Sequence, residues 1–302
     1  MNLEIRDKYL TDFKNILDLR ELADSTIKNY TRYFEEFLDW LESDYDDRDP
    51  RDLSWKDLRV YINHLKNKTN SHSGKKLNPR SINPRIAQLH DFYAYVLHKV
   101  WDKYQLPSLR YDTYLPVVPT AEEAYEFIYS LDNLKHRAIV AVIYSAGLRV
   151  SEAVSLKYND IVASRGYIII RKTKNRSERR AILAKRTLAI LTQYWISIGK
   201  PQDGGYLFPG QRQDSHLSTE SVRRFIKKHL EQLSWKNNYT PHSFRHCFAL
   251  TLLQNGTDLL TIKYALGHKS IHSTSAYLVM NNNEEGQNYI SPFDMEISDD
   301  RK

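Results

Sequence analysis

The stretch from residue 240 to residue 277, TPHSFRHCFALTLLQNGTDLLTIKYALGHKSIHSTSAY, decides how the second half of this chain folds. Thr240 and Pro241 predict a helix start, because threonine is a good N-cap and proline is favoured at the first helical position. Gly267 predicts a helix end, because a glycine in the left-handed conformation stops a helix. The stretch therefore predicts three successive helices, over 241–254, 258–266 and 271–280.

Four side chains of this stretch are candidates for chemistry on an anion. His242 and Arg245 are three residues apart, so they share a helix face near the positive end of the helix dipole, where an anion could bind. His268 follows the glycine, and Tyr277 lies nine residues further on. A purely structural interpretation stays open for each: a histidine can cap a helix, an arginine can pair with a carboxylate, and one tyrosine among 21 is usually a packing residue.

Two elements upstream add further candidates. In the segment AGLRVSE, residues 146–152, Arg149 lies at a helix junction with Glu152 close by, which alone resembles an ordinary turn with a surface ion pair. A β-branched and aromatic run, a polar run and an apolar run follow one another over 167–183 and predict a β-hairpin. Lys172 ends its first strand, with Lys174 two positions further, and either lysine could line a groove or be solvated.

The first hundred residues predict a small helical bundle. Its helices are expected near 4–19, from Ile27 behind the capping residues Asp24 and Ser25, from Ser54 with Asp57 completing a capping box, and over 81–101. Prolines at 107, 116 and 119 predict an extended linker. We therefore expect a first domain over 1–106, a linker over 107–119 and a second domain over 120–302 that ends in a tail, 281–302.

The composition narrows the class of protein. With 41% hydrophobic and 27% charged residues and a mean hydropathy of −0.60, the chain is typical of a soluble globular protein. It contains no apolar run of membrane-spanning length, and its beginning lacks the pattern of a secretion signal, so we expect a cytoplasmic protein without a membrane partner. The single cysteine, Cys247, excludes an intramolecular disulfide and a cysteine-rich zinc cluster.

The charge indicates a polyanionic partner, although it is weak evidence alone. The formal net charge is +7 and the isoelectric point is near 9.2, and lysine or arginine contacts to phosphates release counterions and so favour binding. The basic residues are clustered, whereas the acidic residues collect at 44–49 and in the tail. The candidates for nucleic-acid contacts are Arg80, Lys174, Arg223, Arg224 and Lys227.

Taken together and in this order, the elements resemble the tyrosine recombinase family of phage integrases, Xer-type recombinases, and transposon and integron integrases. Residues 146–152 look like its first arginine box, 241–246 its His-x-x-Arg box, and 266–268 followed by Tyr277 its last box. Residues 81–95 are similar to the last helix of its core-binding domain. The resemblance implies a mainly α fold with a small β-hairpin or sheet: a SAM-like helical core-binding bundle followed by the tyrosine recombinase catalytic domain.

The resemblance also implies a function, a site-specific recombinase that breaks and rejoins DNA through a 3′-phosphotyrosyl intermediate in integration, excision or resolution. Tyr277 would be the nucleophile, and His242 would help to take its proton. Arg149, Arg245 and His268 would bind the phosphate. The two arginines are permanent cations, which explains why no metal or other cofactor is expected. Lys172, or alternatively Lys174, would protonate the leaving oxygen, and Glu152 would orient an arginine or a histidine.

The expected partner is double-stranded DNA, bound by a homotetramer on two recombination sites, with an accessory DNA-binding protein as a further possibility. Family members donate a C-terminal segment to a neighbouring subunit. An apolar patch in the tail could dock in that way, and a disordered tail is an equal alternative; the patch consists of Tyr289, Ile290, Pro292, Phe293 and Met295.

Two other functions compete with recombination. A type IB topoisomerase would use the same chemistry without joining two sites, and the helical first domain argues against it. A DNA-binding regulator that had lost catalysis would keep the fold, and the presence of all six candidate catalytic residues argues against that reading. The sequence leaves open the target site, the kind of DNA element served and the direction of the reaction.

Overall fold

The computed structural model describes residues 3–69, 74–111, 116–171, 178–199, 204–212 and 214–282. The chain forms two compact units, Met1–Tyr114 and Leu115–Lys302. No helix in these described ranges is both long enough and apolar enough to cross a membrane. In the same ranges, no three or more histidine, cysteine, aspartate or glutamate side chains are grouped so that they could hold a metal ion.

The first unit is a helical bundle in its described part, followed by a segment without helix at 96–111. Its helices are α1 (Leu3–Leu19), α2 (Asp24–Asp44), α3 (Trp55–Asn67) and α4 (Pro79–Tyr95), with a short 3-10 turn at Pro50–Asp52. An aromatic cluster forms the centre of the bundle, where the Phe92 ring lies 4.2 Å from Phe34 and 5.5 Å from Tyr9 between ring centroids. These rings are large and buried, so they supply much of the apolar area that holds the unit together.

The helix boundaries of this unit agree with the sequence analysis except at two ends. The capping box of α3 is confirmed, because the Asp57 amide donates to the Ser54 hydroxyl and the Ser54 amide donates to the Asp57 carboxylate. The N-cap of α2 is Ala23, so the predicted capping residues lie inside its first turn. The predicted extension of α4 to residue 101 was wrong, because His98 has a left-handed φ of 52° that an α-helix cannot contain.

The second unit contains eight helices and one small sheet among its described residues. They are α5 (Ala121–Ser130), α6 (Leu134–Ala146), α7 (Val150–Val154), β1 (Ile161–Val162), β2 (Tyr167–Ile170), β3 (Arg179–Ile182), α8 (Lys185–Ile198), α9 (Thr219–Gln232), α10 (Pro241–Gln254), α11 (Leu259–Leu266) and α12 (His272–Asn282). Short 3-10 turns lie at Tyr158–Asp160 and Ala163–Arg165.

Helix α6 is the centre of this unit and packs against α5, α8 and α10. Six consecutive residues of α6, 138–143, are buried on all sides of the helix, as expected of a helix inside a core. The sheet is antiparallel in the order β1-β2-β3, with Ile168 opposite Ala181 in the β2–β3 pair. The predicted hairpin is confirmed, and β1 adds a third strand to it. The fold is therefore mainly α with a small sheet, as the sequence analysis predicted.

Candidate active site

Arg149 is positioned by a glycine turn at the end of α6. Gly147 has a left-handed φ of 58°, and a Cβ atom built on it would lie 2.4 Å from the Phe248 ring, so this close turn requires glycine. The turn places Arg149 at the N-cap of α7, where its backbone amide donates to the Glu152 carboxylate over 2.9 Å. The sequence segment 146–152 thus fixes both the arginine and its acidic partner.

Glu152 binds arginines from three separate parts of the chain. Its carboxylate lies 3.0 Å from Nη1 of Arg149, 2.8 Å from Nη2 of Arg179 at the start of β3, and 3.8 Å from Nη1 of Arg245 on α10. The side chain is only 5% exposed. Burial opposes its ionisation, but the charge of Arg179, the Arg149 amide and the other two guanidiniums lower the pKa of Glu152 below its ordinary value. The carboxylate is therefore ionised and holds the three cations together.

Arg245 is a buried cation fixed by backbone carbonyls. Its Nη1 donates to the carbonyl of Gly147 over 2.5 Å and its Nη2 donates to the carbonyl of Leu266 over 2.8 Å. The Nη1 atom of Arg149 reaches the same Leu266 carbonyl at 3.5 Å. Burial, and next the charge of Arg149, lower the pKa of Arg245 to about 9. Two guanidiniums thus lie close together in a partly desolvated place, an arrangement that favours the binding of an anion.

Tyr277 on α12 is buried, and its hydroxyl lies 2.9 Å from Nδ1 of His246. Burial raises the pKa of the phenol, and the nearby charges of Arg245 and Arg149 offset only part of that rise. The hydroxyl is therefore protonated near neutral pH. It also lies near enough to both arginines for their charges to act on it.

His268 lies directly after the left-handed Gly267 that ends α11, as predicted. Its ring is parallel to the Tyr277 ring, with the centroids 6.4 Å apart, and its Nδ1 lies 2.9 Å from the hydroxyl of Thr274. Burial, and then the charges of Arg245 and Arg149, lower the pKa of His268 to about 4. The ring is neutral at pH 7 and lies alongside the ring of the tyrosine.

His242 lies in the first turn of α10 and keeps an exposed ring. The centroid of this ring is 6.3 Å from that of His246. The surrounding protein, and next the charge of Arg245, lower the pKa of His242 below its ordinary value. His242 is thus at the solvent side of the same group.

A cavity of about 300 Å³ opens beside these residues. Its lining includes Arg149, Glu152, Arg179, His268 and Lys269. Five lysines and arginines line the cavity against two glutamates, Glu152 and Glu178, so the cavity suits a small anion such as a phosphate group.

The structure brings most of the predicted site residues together. Arg149, Glu152, Arg245, His268 and Tyr277 come from four different elements and meet at one place, with His242 at its solvent side. Lys172 and Lys174 lie outside the described residues.

Two residues of the site were not singled out from the sequence. His246 was part of the quoted segment 241–246, and its spacing of four residues from His242 on one helix was the available signal. Arg179 is the first residue of β3, and nothing in the local sequence separates it from its neighbour Arg180.

A basic surface lies on α9 of the same unit. Val222, Ile226 and Leu230 face the core. The opposite face exposes Lys228 and the residues predicted to contact nucleic acid. The exposed basic residues are Arg223, Arg224, Lys227 and Lys228. Two of them form only loose surface pairs with neighbouring glutamates, at 3.4 Å and 3.9 Å. In the first unit, the exposed Arg80 lies over the ring of Tyr111.

Each of the two units matches the model of a known protein family. The chain matches the model of the phage integrase family over residues 119–284 and that of the phage integrase N-terminal SAM-like domain over residues 9–103. The first match alone covers more than half of the chain, and the second agrees with the predicted SAM-like bundle.

Individual relatives support the same assignment. Putative integrase/recombinase y4qK of Sinorhizobium fredii is 35% identical over 227 residues, covering 75% of this chain and 71% of the relative. A tyrosine recombinase of Pseudothermotoga lettingae is 30% identical over 280 residues, covering 90% and 93%. Among solved structures, a lambda integrase dimer bound to a COC′ core site covers 96% of this chain and 99% of that one with a TM-score of 0.68; at 18% identity, this likeness shows the fold alone. The chain therefore belongs to the phage integrase family and is an enzyme of the tyrosine recombinase class, which carries out site-specific DNA recombination.

Proposed function

We propose that this chain binds double-stranded DNA and breaks and rejoins it through a covalent bond between Tyr277 and a 3′ phosphate. The observation that carries the proposal is the position of the Tyr277 hydroxyl, buried beside two guanidiniums and two imidazoles from other elements. A tyrosine that served only packing would have no need of two nearby arginines.

The phosphate is proposed to bind between Arg149 and Arg245. Each guanidinium carries five N–H donors in a planar fork, and the bonds to Glu152, Gly147 and Leu266 occupy only some of them. The transition state carries extra negative charge on the non-bridging oxygens, so two fixed cations stabilise it more than they stabilise the ground state. His268 is proposed to donate a further hydrogen bond to the same phosphate.

The remaining proposed roles concern protons and orientation. Lys172, or Lys174 in its place, is proposed to protonate the departing 5′ oxygen. His242 is proposed to assist the removal of the phenol proton from the solvent side. Glu152 is proposed to orient the arginines, a role supported by its bonds to both Arg149 and Arg179. No step of this scheme needs ATP, because the energy of the phosphodiester bond is kept in the phosphotyrosyl link, and none needs a metal, because two guanidiniums supply the permanent positive charge.

The proposed DNA contacts come from both units. We propose that residues 1–106 form the core-binding domain, that 107–119 link the two domains, and that 120–302 form the catalytic domain. The basic face of α9, with Arg223, Arg224 and Lys227, would contact DNA, as would Arg80 and Lys174. Most of these contacts would go to phosphates and so fix the position of the enzyme rather than read the sequence.

We also propose a homotetramer on two sites, with the tail of one subunit docked on the next. An apolar groove of about 560 Å³ between α5, α6 and α8 is supporting evidence; it is lined by Tyr125, Ile128, Tyr144 and Ile190, among others, with Arg186 beside them. The apolar patch of the tail at 289–295 suits the apolar lining of this groove, which also carries one charge of each sign, Arg186 and Glu122. An accessory DNA-binding protein and a cytoplasmic place of action remain part of the proposal.

Covalent trapping tests the proposed function. A DNA duplex nicked near the cleavage site loses a short fragment after cleavage, so the phosphotyrosyl product accumulates. We expect trapping with the wild-type chain and none with Tyr277→Phe. Tyr194→Phe is the matched control, because Tyr194 is equally buried, at 2% exposed, but lies in the α8 core; it should trap normally.

The same mixtures separate the competing functions. Native mass spectrometry should find four chains on two duplexes, and joining of two sites should be detected. Relaxation of supercoils without joining would indicate a topoisomerase. Stoichiometric DNA binding with no trapped product would indicate a regulator and would refute the proposal.

A further inference from the structure

The hydroxyl of Tyr277 has a partner that the scheme above does not use. His246 offers its Nδ1 atom at 2.9 Å, with the two ring centroids 5.6 Å apart. The backbone at His246 is well fixed, because α10 starts from a complete cap at Thr240 and the preceding Arg245 is bonded to two carbonyls. The α10 backbone that carries His246 is therefore anchored at the cap and at Arg245.

The direction of this hydrogen bond follows from the charge states of both groups. Burial, and then the charges of His242 and Arg245, lower the pKa of His246 to about 4, so the ring is neutral at pH 7. Burial raises the pKa of Tyr277, so the phenol keeps its proton. A neutral imidazole has one acceptor nitrogen, and a phenol is the stronger donor. We therefore assign the acceptor role to Nδ1 and place the ring proton on Nε2.

We propose that His246 is a further catalytic residue, whose Nδ1 atom holds the Tyr277 hydroxyl in place and receives its proton as the phenol attacks the phosphate. This inference rests on the proposed function of Tyr277. During cleavage the O–H bond of the phenol breaks and its proton moves to Nδ1, while the tyrosine oxygen bonds to phosphorus. The bond from phosphorus to the 5′ oxygen breaks, and that oxygen takes a proton from the general acid. In rejoining, the His246 imidazolium returns the proton to the departing phenolate.

His246 is better placed for this transfer than His242. Its nitrogen is within hydrogen-bond distance of the phenol oxygen, which is the geometric requirement for a general base. The exposed ring of His242 lies 6.3 Å from the His246 ring between centroids, and no hydrogen bond joins it to the phenol among the described residues. The charged and titratable groups around His246 are His242 and Arg245 from its own helix, His268 from the end of α11 and Tyr277 from α12.

Three variants separate a catalytic role from a structural one in single-turnover cleavage of the nicked duplex. His246→Ala removes the acceptor. His246→Asn keeps an acceptor near the position of Nδ1 but cannot take a proton. Cys247→Ala is the matched control, because Cys247 is the next residue of α10, is buried, and has no described contact with Tyr277. DNA binding is measured in parallel for every variant.

We expect both His246 variants to bind DNA normally and to cleave about 100-fold or more slowly, the size of a lost general base. Their rates should rise tenfold per pH unit towards the phenol pKa, whereas the wild-type rate should change little from pH 6 to 9. Added imidazole should accelerate His246→Ala, and Cys247→Ala should match the wild type.

Other results would overturn the inference in recognisable ways. Wild-type cleavage by His246→Asn would limit His246 to positioning the tyrosine. A slow His246→Ala variant with the wild-type pH profile and no response to imidazole would reduce it to a structural residue. Wild-type cleavage by both variants would remove any role. These results leave the proposed function of Tyr277 intact as long as the wild-type chain traps DNA and Tyr277→Phe does not. That function fails if the wild type traps none or if Tyr277→Phe traps normally.

Discussion

Glu152→Gln tests whether one carboxylate holds the active site together. The substitution keeps the shape of the side chain and an oxygen that can accept the Arg149 amide, but it removes the negative charge. Arg149, Arg179 and Arg245 would then lie around a neutral group, with no carboxylate to offset their mutual repulsion.

The expected loss is large because the site is buried. Glu152 is 5% exposed and the three arginine side chains are 19%, 14% and 3% exposed, so water screens these charges poorly. Removing one member of a buried ion pair costs about 3–5 kcal/mol. Since glutamine keeps the backbone hydrogen bond, we expect the lower end of that range, about 3 kcal/mol of unfolding free energy for the second unit.

The assay is urea unfolding followed by peptide-level hydrogen–deuterium exchange, which reports the second unit separately from the first. Glu220→Gln is the matched control: it removes the same charge from a pair with Arg223 at 3.4 Å whose side chains are 70% and 51% exposed. Exposed pairs contribute less than about 1 kcal/mol. Equal destabilisation by the two variants would refute the idea that Glu152 organises the site.

Two further predictions concern the same pocket. Gly267→Ala should destabilise the second unit by about 1–2 kcal/mol and slow DNA cleavage, because alanine strains the φ of 64° and its Cβ would meet Nε of Arg179 at 2.4 Å. Gly166→Ala is the control, because its φ of 67° is similar but the space around it is open, so it should lower stability without slowing cleavage. Normal cleavage by Gly267→Ala would contradict the prediction. The free energy of unfolding should fall as the pH is lowered from about 6.5 to 4, by about 2 kcal/mol for each of His246 and His268, because their folded pKa near 4 means that the unfolded state binds more protons in this window. Urea titrations at both pH values should show this loss. A variant with asparagine at both positions should lose much less stability between the two pH values, and an undiminished loss would disprove the prediction.

Local sequence signals predicted most of the fold. The cap at Thr240 and Pro241, the glycine at 267 and the capping box at Ser54 each act within one turn of a helix, so they could be read without knowing the rest of the chain. The end of α4 could not be predicted from local signals, because the apolar periodicity continues to residue 101 while the left-handed His98 interrupts the helix. The strand β1 was not predicted, because a strand of two residues is too short to show an alternating pattern.

The candidate site divides in the same way. Its recognisable members lie in short segments with a strong family resemblance, so Arg149, Arg245, His268 and Tyr277 could be named from the sequence. Arg179 could not, because an arginine in a basic hairpin is ordinary until the fold brings it within 2.8 Å of Glu152.

The sequence by itself therefore predicted most of the helices, the family and the candidate reacting groups, because these predictions depend on local order along the chain. Only the tertiary structure decided which histidine bonds to the phenol and which cations share the buried carboxylate. Those are contacts between residues up to 93 positions apart, as with Glu152 and Arg245. Charge states follow from such contacts, since burial and neighbouring charges set each pKa and neither is written in the local sequence.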